Sequence, residues 1–289
     1  MIQRCRTMFP LRLMCRLLKV SPSGYYARQR RSPSAWAQDC QRLTAAIQTL
    51  HAASDGVYGS PKIWQRLRQH GERCGKHRIA RLMRQAGLRG IPAPRRWKRR
   101  PSGDRPAGIT NQLARDFTAT APNAKWVTDI TYIATQEGWL YLAVVLDLFS
   151  RQVIGWSMQP QLTRDLVIQA VLMAVWQRSS MAPVILHSDR GTQYTSQEFQ
   201  AFLKTHGLVS SMSGVGNCYD NAVAESFFGL LKRERVHRRR YGTRAEARAD
   251  VFDYIERFYN RQRSHSFAQG LAPRNFREQH AKKSSSTCP

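Results

Sequence analysis

Val184-Ile185-Leu186-His187-Ser188-Asp189-Arg190-Gly191 and, further on, Asp220-Asn221-Ala222-Val223-Ala224-Glu225-Ser226-Phe227-Phe228-Gly229-Leu230-Leu231-Lys232 decide how this chain folds. The first segment is an apolar run of strand length, bounded by Pro183 and broken by Gly191, so Asp189 falls at the carboxyl end of a buried strand. The second has helical spacing. Ala224, Phe227, Phe228 and Leu231 fall at i, i+3, i+4 and i+7 and form one apolar stripe. Asp220 or Asn221 is the expected cap. Glu225 and Lys232 sit two turns apart on the same side, both flanking that stripe. A carboxylate at the edge of a packed face is well placed to serve a site.

A third acid lies upstream. Trp126-Val127-Thr128-Asp129-Ile130-Thr131-Tyr132-Ile133 is rich in β-branched and aromatic residues and predicts a strand with Asp129 in its middle. A buried carboxylate is costly unless paired, protonated or bound to a metal. Taken singly, each acid reads as a cap, an ion pair or a surface charge. One inside a strand, one at a strand end and one on a helix border make a stronger case together.

Composition narrows the partners. The 289 residues allow two or three small domains, and Lys plus Arg (46) exceed Asp plus Glu (19) for a formal charge of +27. Such an excess points to a polyanion, nucleic acid before an anionic membrane surface. No apolar run approaches the ~18 residues of a membrane span, and no signal peptide is evident. The expectation is a soluble, cytoplasmic, nucleoid-associated protein. The six cysteines (5, 15, 40, 74, 218, 288) form no C-x-x-C pair and are expected as reduced thiols.

The chain divides readily. Residues 1–32 form a basic amino-terminal arm, either a docking arm or an ordered helix. Residues 33–90 predict three helices, and the last two resemble a helix-turn-helix whose basic third helix, Lys76 to Ala86, enters a major groove. Lys76, Arg78, Arg81 and Arg84 are its candidate DNA contacts, weighed against a merely solvated basic face. Residues 91–120, with four prolines and Arg95, Arg96, Lys98, Arg99 and Arg100, read as a basic linker. From 121 to 235 the predicted order is βββαβαβα, three strands in an antiparallel meander and then alternation, which describes an α/β mixed sheet flanked by helices. Residues 236–280 predict a helical extension, and 281–289 a disordered tail.

KWVTDITYI, WLYLAVVLDLFSRQVIGW, ILHSDRGTQYTS, GNCYDNAVAESFFGLLKRE and YNRQRSHS are similar to the second-reading-frame (orfB type) transposases of the insertion-sequence-three family, and YGSPKIWQRL extends the likeness into the amino-terminal half. These are DDE transposases with an integrase catalytic core, which implies a ribonuclease-H-like fold. The resemblance implies Asp129, Asp189 and Glu225 as a catalytic triad, and Lys232 matches a basic residue that the family places seven after its glutamate. It also implies joining of element ends to DNA through a circular intermediate, action as a homo-oligomer on DNA, and a first-frame protein as partner or fusion. Two departures stand out: Val215, where the family often has a basic residue, and Gln269-Gly270-Leu271 in place of its usual Gly-Tyr-Leu.

Phosphodiester transfer suits two divalent cations about 3.5–4 Å apart. Mg²⁺ prefers hard oxygen ligands, with Mn²⁺ as a substitute, so Asp129, Asp189 and Glu225 are the expected metal ligands. No protein nucleophile is then required, and Tyr194, Tyr219 and Ser188 read as packing residues. Asp147 reads as a strand-end or turn acid. His187 is a base, a structural hydrogen-bonding group or a substrate contact. The alternatives to a transposase are a ribonuclease-H-like nuclease that hydrolyses without joining, and a non-catalytic DNA-binding regulator.

Overall fold

The computed structural model describes residues 2–92, 113, 116–178, 180, 182–213 and 221–286, with side chains to 282. The basic cluster at 95–100, Val215, Tyr219 and Asp220 therefore lie outside the described residues.

Two short helices, α1 (Leu11–Leu17) and α2 (Pro22–Arg30), make up the amino-terminal arm. Next come α3 (Ala35–Ala53), α4 (Ser60–Gln69) and α5 (Lys76–Gln85). Each of these three sends its apolar stripe inward, with Leu43 and Ile47, Ile63 and Leu67, and Ile79, Leu82 and Met83 buried. Pro61 sits in the first turn of α4, where a missing N–H costs nothing.

The rest of the chain is built on one five-stranded sheet in the order β3-β2-β1-β4-β5. Its strands are β1 (Lys125–Thr135), β2 (Gly138–Asp147), β3 (Val153–Gln159), β4 (Val184–Ser188) and β5 (Leu208–Met212). The first three form the expected antiparallel meander, while β4 and β5 run parallel to β1. Helix α6 (Arg164–Trp176) connects β3 to β4, and a short turn α7 (Thr192–Thr195) with α8 (Gln197–Thr205) connects β4 to β5. Gly155 on β3 lets α6 lie close against the sheet, since a Cβ there would collide with the Ala170 carbonyl and Ala174.

Alternation along the strands gives the sheet two buried faces. Trp126, Ala143 and Val145 pack with α6 and α8. Val127, Leu142 and Val144 belong to the same apolar cluster as α9 (Ala222–Glu234), and that cluster continues into the amino-terminal helices. After α9 come α10 (Arg244–Asp253), a π-helical continuation at Tyr254–Tyr259, and α11 (Pro273–Ser286). The segment from 281, expected to lack structure, continues α11 as far as Ser286. Phe149 holds this helix through a tilted contact with Phe276 and an edge-on contact with His280, with ring centroids 5.3 and 4.6 Å away. The four described cysteines are free. Among the described residues no helix is long and apolar enough to cross a membrane.

Candidate active site

Strand register brings the first two acids together. Val127 of β1 is opposite His187 of β4 on parallel neighbours, so Asp129 and Asp189 come two positions later at equivalent places. Both point to the face that α9 covers, because side chains two apart share a face and neighbouring strands lie about 4.8 Å apart. Asp129 is also opposite Val144 of β2, in the middle of the sheet. Asp189 directly follows the last residue of β4 and is exposed, and its Oδ1 accepts the Gly191 N–H at 3.0 Å.

Helix α9 supplies the third. Ala224, Phe227, Phe228 and Leu231 are all buried, as the stripe requires, and Glu225 is left exposed beside them. Asn221 occupies the cap position but does not cap. Its Nδ2 instead donates to the Thr128 carbonyl at 3.4 Å, which ties the start of α9 to the residue before Asp129.

The acids act on one another. Burial raises the Asp129 carboxyl, the Ile130 N–H donated to it at 2.7 Å partly offsets this, and the charges of Asp189 and Glu225 add to the rise, leaving it at about 7. Lys232 opposes the rise. Its ammonium lies 4.8 Å from the centre of the Tyr132 ring; burial lowers its proton affinity, and the charge of Asp129 works against that. The charges of Glu225 and Lys232, two turns apart on α9, thus both act on Asp129, in opposite directions.

Among the described residues no three of His, Cys, Asp and Glu stand assembled as a metal cage. The chemistry of the donor set nevertheless suits a hard divalent cation: three carboxylates, with Asp129 held half-buried under the repulsion of the other two.

The other candidates are structural. His187 is fully buried, with Nδ1 2.9 Å from the Ser211 hydroxyl and Nε2 3.1 Å from that of Ser213, so both ring nitrogens are engaged. Asp147 is fully buried and accepts from the Ser150 N–H and hydroxyl (3.0 and 2.6 Å) and the Asn123 N–H (3.0 Å), the turn role expected of it. Tyr194 is buried on the opposite face, its hydroxyl 3.3 Å from that of Thr128. Ser188 is buried and donates to the Asp189 carbonyl.

The basic helix divides in two. Lys76, Arg81 and Arg84 are exposed on α5. Arg78 instead turns back to α3, where it pairs with Asp39 at 2.8 Å and donates to the Cys40 sulfur. It braces the helix pair, which a helical charge count does not reveal.

Most of the chain is similar to known proteins. An integrase core domain model matches residues 119–218, a second integrase core domain model matches 225–280, and an HTH-like domain model matches 38–96. The chain is 44% identical over 280 residues to the transposase InsF for insertion sequence IS3A of Escherichia coli, covering 95% of this chain and 96% of that protein. It is 38% identical over 268 residues to an uncharacterized 31 kDa protein of insertion element IS600 from Shigella sonnei, covering 92% and 98%. Among solved structures it is similar to the catalytic core domain of BIV integrase, with TM-score 0.42, 18% identity, and 56% and 99% of the two chains covered. It is also similar to the HTLV-2 integrase catalytic core in complex with magnesium, with TM-score 0.33, 26% identity, and 39% and 70% covered. With an integrase core, a helix-turn-helix-like domain and such identity over nearly its whole length, the chain belongs to the IS3 family of insertion-sequence transposases.

Proposed function

We propose that Asp129, Asp189 and Glu225 are the catalytic acids of this transposase and hold two Mg²⁺ ions, with Mn²⁺ able to replace them. The observation that carries this reading is Asp129, a half-buried strand carboxylate raised to about 7 by burial and by the other two acids. Bound cations supply charge stabilisation at the attacking and leaving oxygens of a phosphodiester. The protein's own part is to fix three hard-oxygen donors on a rigid sheet and helix. Lys232 lies beside Asp129 and offers a point charge to a phosphate of the bound end. In end cleavage, water attacks the phosphorus and a 3′ hydroxyl departs; in joining, that 3′ oxygen forms the new P–O bond and the bridging oxygen of the attacked strand leaves. His187 takes no proton in this scheme, since two serine hydroxyls hold its ring.

DNA recognition falls to the exposed face of α5, through Lys76, Arg81 and Arg84, with Arg78 setting the helix in place. The working form is a homo-oligomer on DNA in the cytoplasm, associated with the nucleoid, and a first-frame protein as partner or fusion is consistent with the family. The test is strand joining on labelled element ends with Mg²⁺ or Mn²⁺. Glu225→Gln should lose more than about 100-fold in joining, beyond what loss of a group behind the ligands costs, while DNA binding persists. Cleavage without any joining by the parent protein would favour a hydrolytic nuclease. Joining by Glu225→Gln at the parent rate would remove that residue from the site.

A further inference from the structure

Helix α9 has a second working side. Its Ala222, Val223 and Ser226 line a cavity of about 570 Å³. The rest of the wall comes from distant parts of the chain: Lys62 at the start of α4, Arg151 in the turn between β2 and β3, and Arg263 and His265 after the π-helical segment. Among the described lining residues none is acidic. Two helices of ten and thirteen residues begin at this wall, and helix amino-termini favour anions.

The four basic side chains are not equally satisfied. Arg263 is buried and bound twice by Glu234, at 2.8 and 2.6 Å. Arg151 donates Nη2 to the Phe117 carbonyl, but its Nη1 is buried without a hydrogen-bond partner. His265 Nε2 is also buried and unpartnered. Native proteins rarely leave such groups unpaired, because the lost hydration is not repaid. The neighbours also repel one another. Burial first, then the charges of Arg263, Lys62 and Arg151, lower His265 to about 3; burial and Arg263 lower Lys62 to about 8. An acceptor-only group with negative charge meets every one of these conditions.

We propose that this cavity is a phosphate-binding site, with Lys62, Arg151 and His265 as its donors. Phosphate offers several acceptor oxygens to donors that converge from three elements, and its charge offsets their repulsion. The site lies between the helix-turn-helix-like domain and the core, and neither Glu225 nor Lys232 is among its lining residues. A DNA backbone phosphodiester and a free phosphate present the same oxygens, so the experiment has an arm for each.

In the first arm, inorganic phosphate is titrated into the metal-free full-length protein at constant ionic strength, with chloride as control, and melting temperature is read. Phosphate should raise it by a few degrees. Lys62→Gln and His265→Asn should each weaken the response several-fold, and Lys62→Arg, which keeps the charge, should retain it. In the second arm, duplex affinity is measured against salt, and loss of one phosphate contact should lower the slope by about 1. A lost phosphate response with a lowered slope assigns the site to the DNA backbone; a lost response with an unchanged slope assigns it to free phosphate. No phosphate response in the parent, or an equal response in the parent, Lys62→Gln and His265→Asn, overturns the proposal. Neither arm requires cutting or joining, so the outcome is independent of the role of the acids.

Discussion

At the scale of single residues, Asp129 is the most informative side chain. Its carboxyl binds a proton more tightly in the folded chain, at about 7 against an ordinary 3.8. Between those values the folded state carries the extra proton, so stability of the metal-free protein falls as pH rises from about 4 to 7. Each tenfold change in proton affinity is worth about 1.4 kcal/mol, which makes the penalty a few kcal/mol. Asp129→Asn removes the titrating group and should flatten the fall, as read from melting curves in chelator at a series of pH values. Identical pH slopes in the two proteins would show that Asp129 is ordinary. The same substitution should abolish joining, so stability and activity move in opposite directions at this position. A smaller effect is expected at Gln269. It adopts φ +53, and it stands where the family usually places glycine. A left-handed backbone costs a side-chain-bearing residue roughly 1–2 kcal/mol, so Gln269→Gly should raise stability by about 1 kcal/mol in a denaturant titration, and no gain would mean that the side chain's own contacts compensate.

At the scale of elements, pattern carried most of the reading. The strands were legible because alternation and short turns encode a meander locally, and the acids because a carboxylate among β-branched residues contradicts its surroundings. Helix limits moved by a residue or two, as fraying ends do. What stayed hidden depends on partners far along the chain. Arg78 looked like its neighbours on α5 until Asp39 of α3 appeared beside it. Lys62, Arg151 and His265 share no local pattern, and only folding brings them to one cavity. Nor did sequence show that Asn260 would take both hydrogen bonds of Val153, at 3.0 and 2.9 Å, sealing the edge of β3. The end of α9 holds another such case. Glu234 is buried, accepts two bonds from buried Arg263 and one from Tyr254 at 2.9 Å. Burial would raise its carboxyl, but the Arg263 bonds hold it below its ordinary value. Glu234→Gln leaves the guanidinium without its counter-charge and should cost about 3–5 kcal/mol; a loss below 1 kcal/mol in urea unfolding would show the pair to be dispensable. On α5, alanine at Lys76, Arg81 and Arg84 should each lower the salt slope of DNA binding by up to about 1. Arg78→Ala should instead loosen α5 from α3, seen as faster amide exchange along α5. A lowered slope without faster exchange would make Arg78 a phosphate contact.

At the scale of the whole molecule, two opposing effects set its behaviour. A formal charge of +27 makes the compact chain repel itself, so added salt should stabilise it while weakening its hold on DNA. Against that repulsion stands a buried apolar cluster running without a break from Leu43, Ile63 and Ile79 of the amino-terminal helices to Val144 of the sheet and to Phe227 and Tyr254. Polar ties reinforce it. The Tyr58 hydroxyl donates to the Gln262 carbonyl at 3.1 Å and accepts from the Ser264 N–H at 2.8 Å, and Arg238 reaches the Asp55 carbonyl at 2.8 Å. The helix-turn-helix-like region, which the sequence presents as a separate unit, therefore shares its core with the catalytic half. Domains that share a large apolar interface unfold together, whereas those that touch through polar surfaces unfold apart. Calorimetry of the full chain should show one cooperative transition, with hydrogen exchange in α4 and in β1 reporting the same opening free energy. Removing residues 1–92 takes Tyr58 from its place 6.3 Å from the Phe258 ring and opens the shared cluster, and the remaining core should bind a hydrophobic dye and aggregate. Two separate transitions, with the amino-terminal segment melting independently of the sheet, would mean that the shared cluster contributes little, and that DNA binding and catalysis are coupled through the bound DNA and not through the protein core.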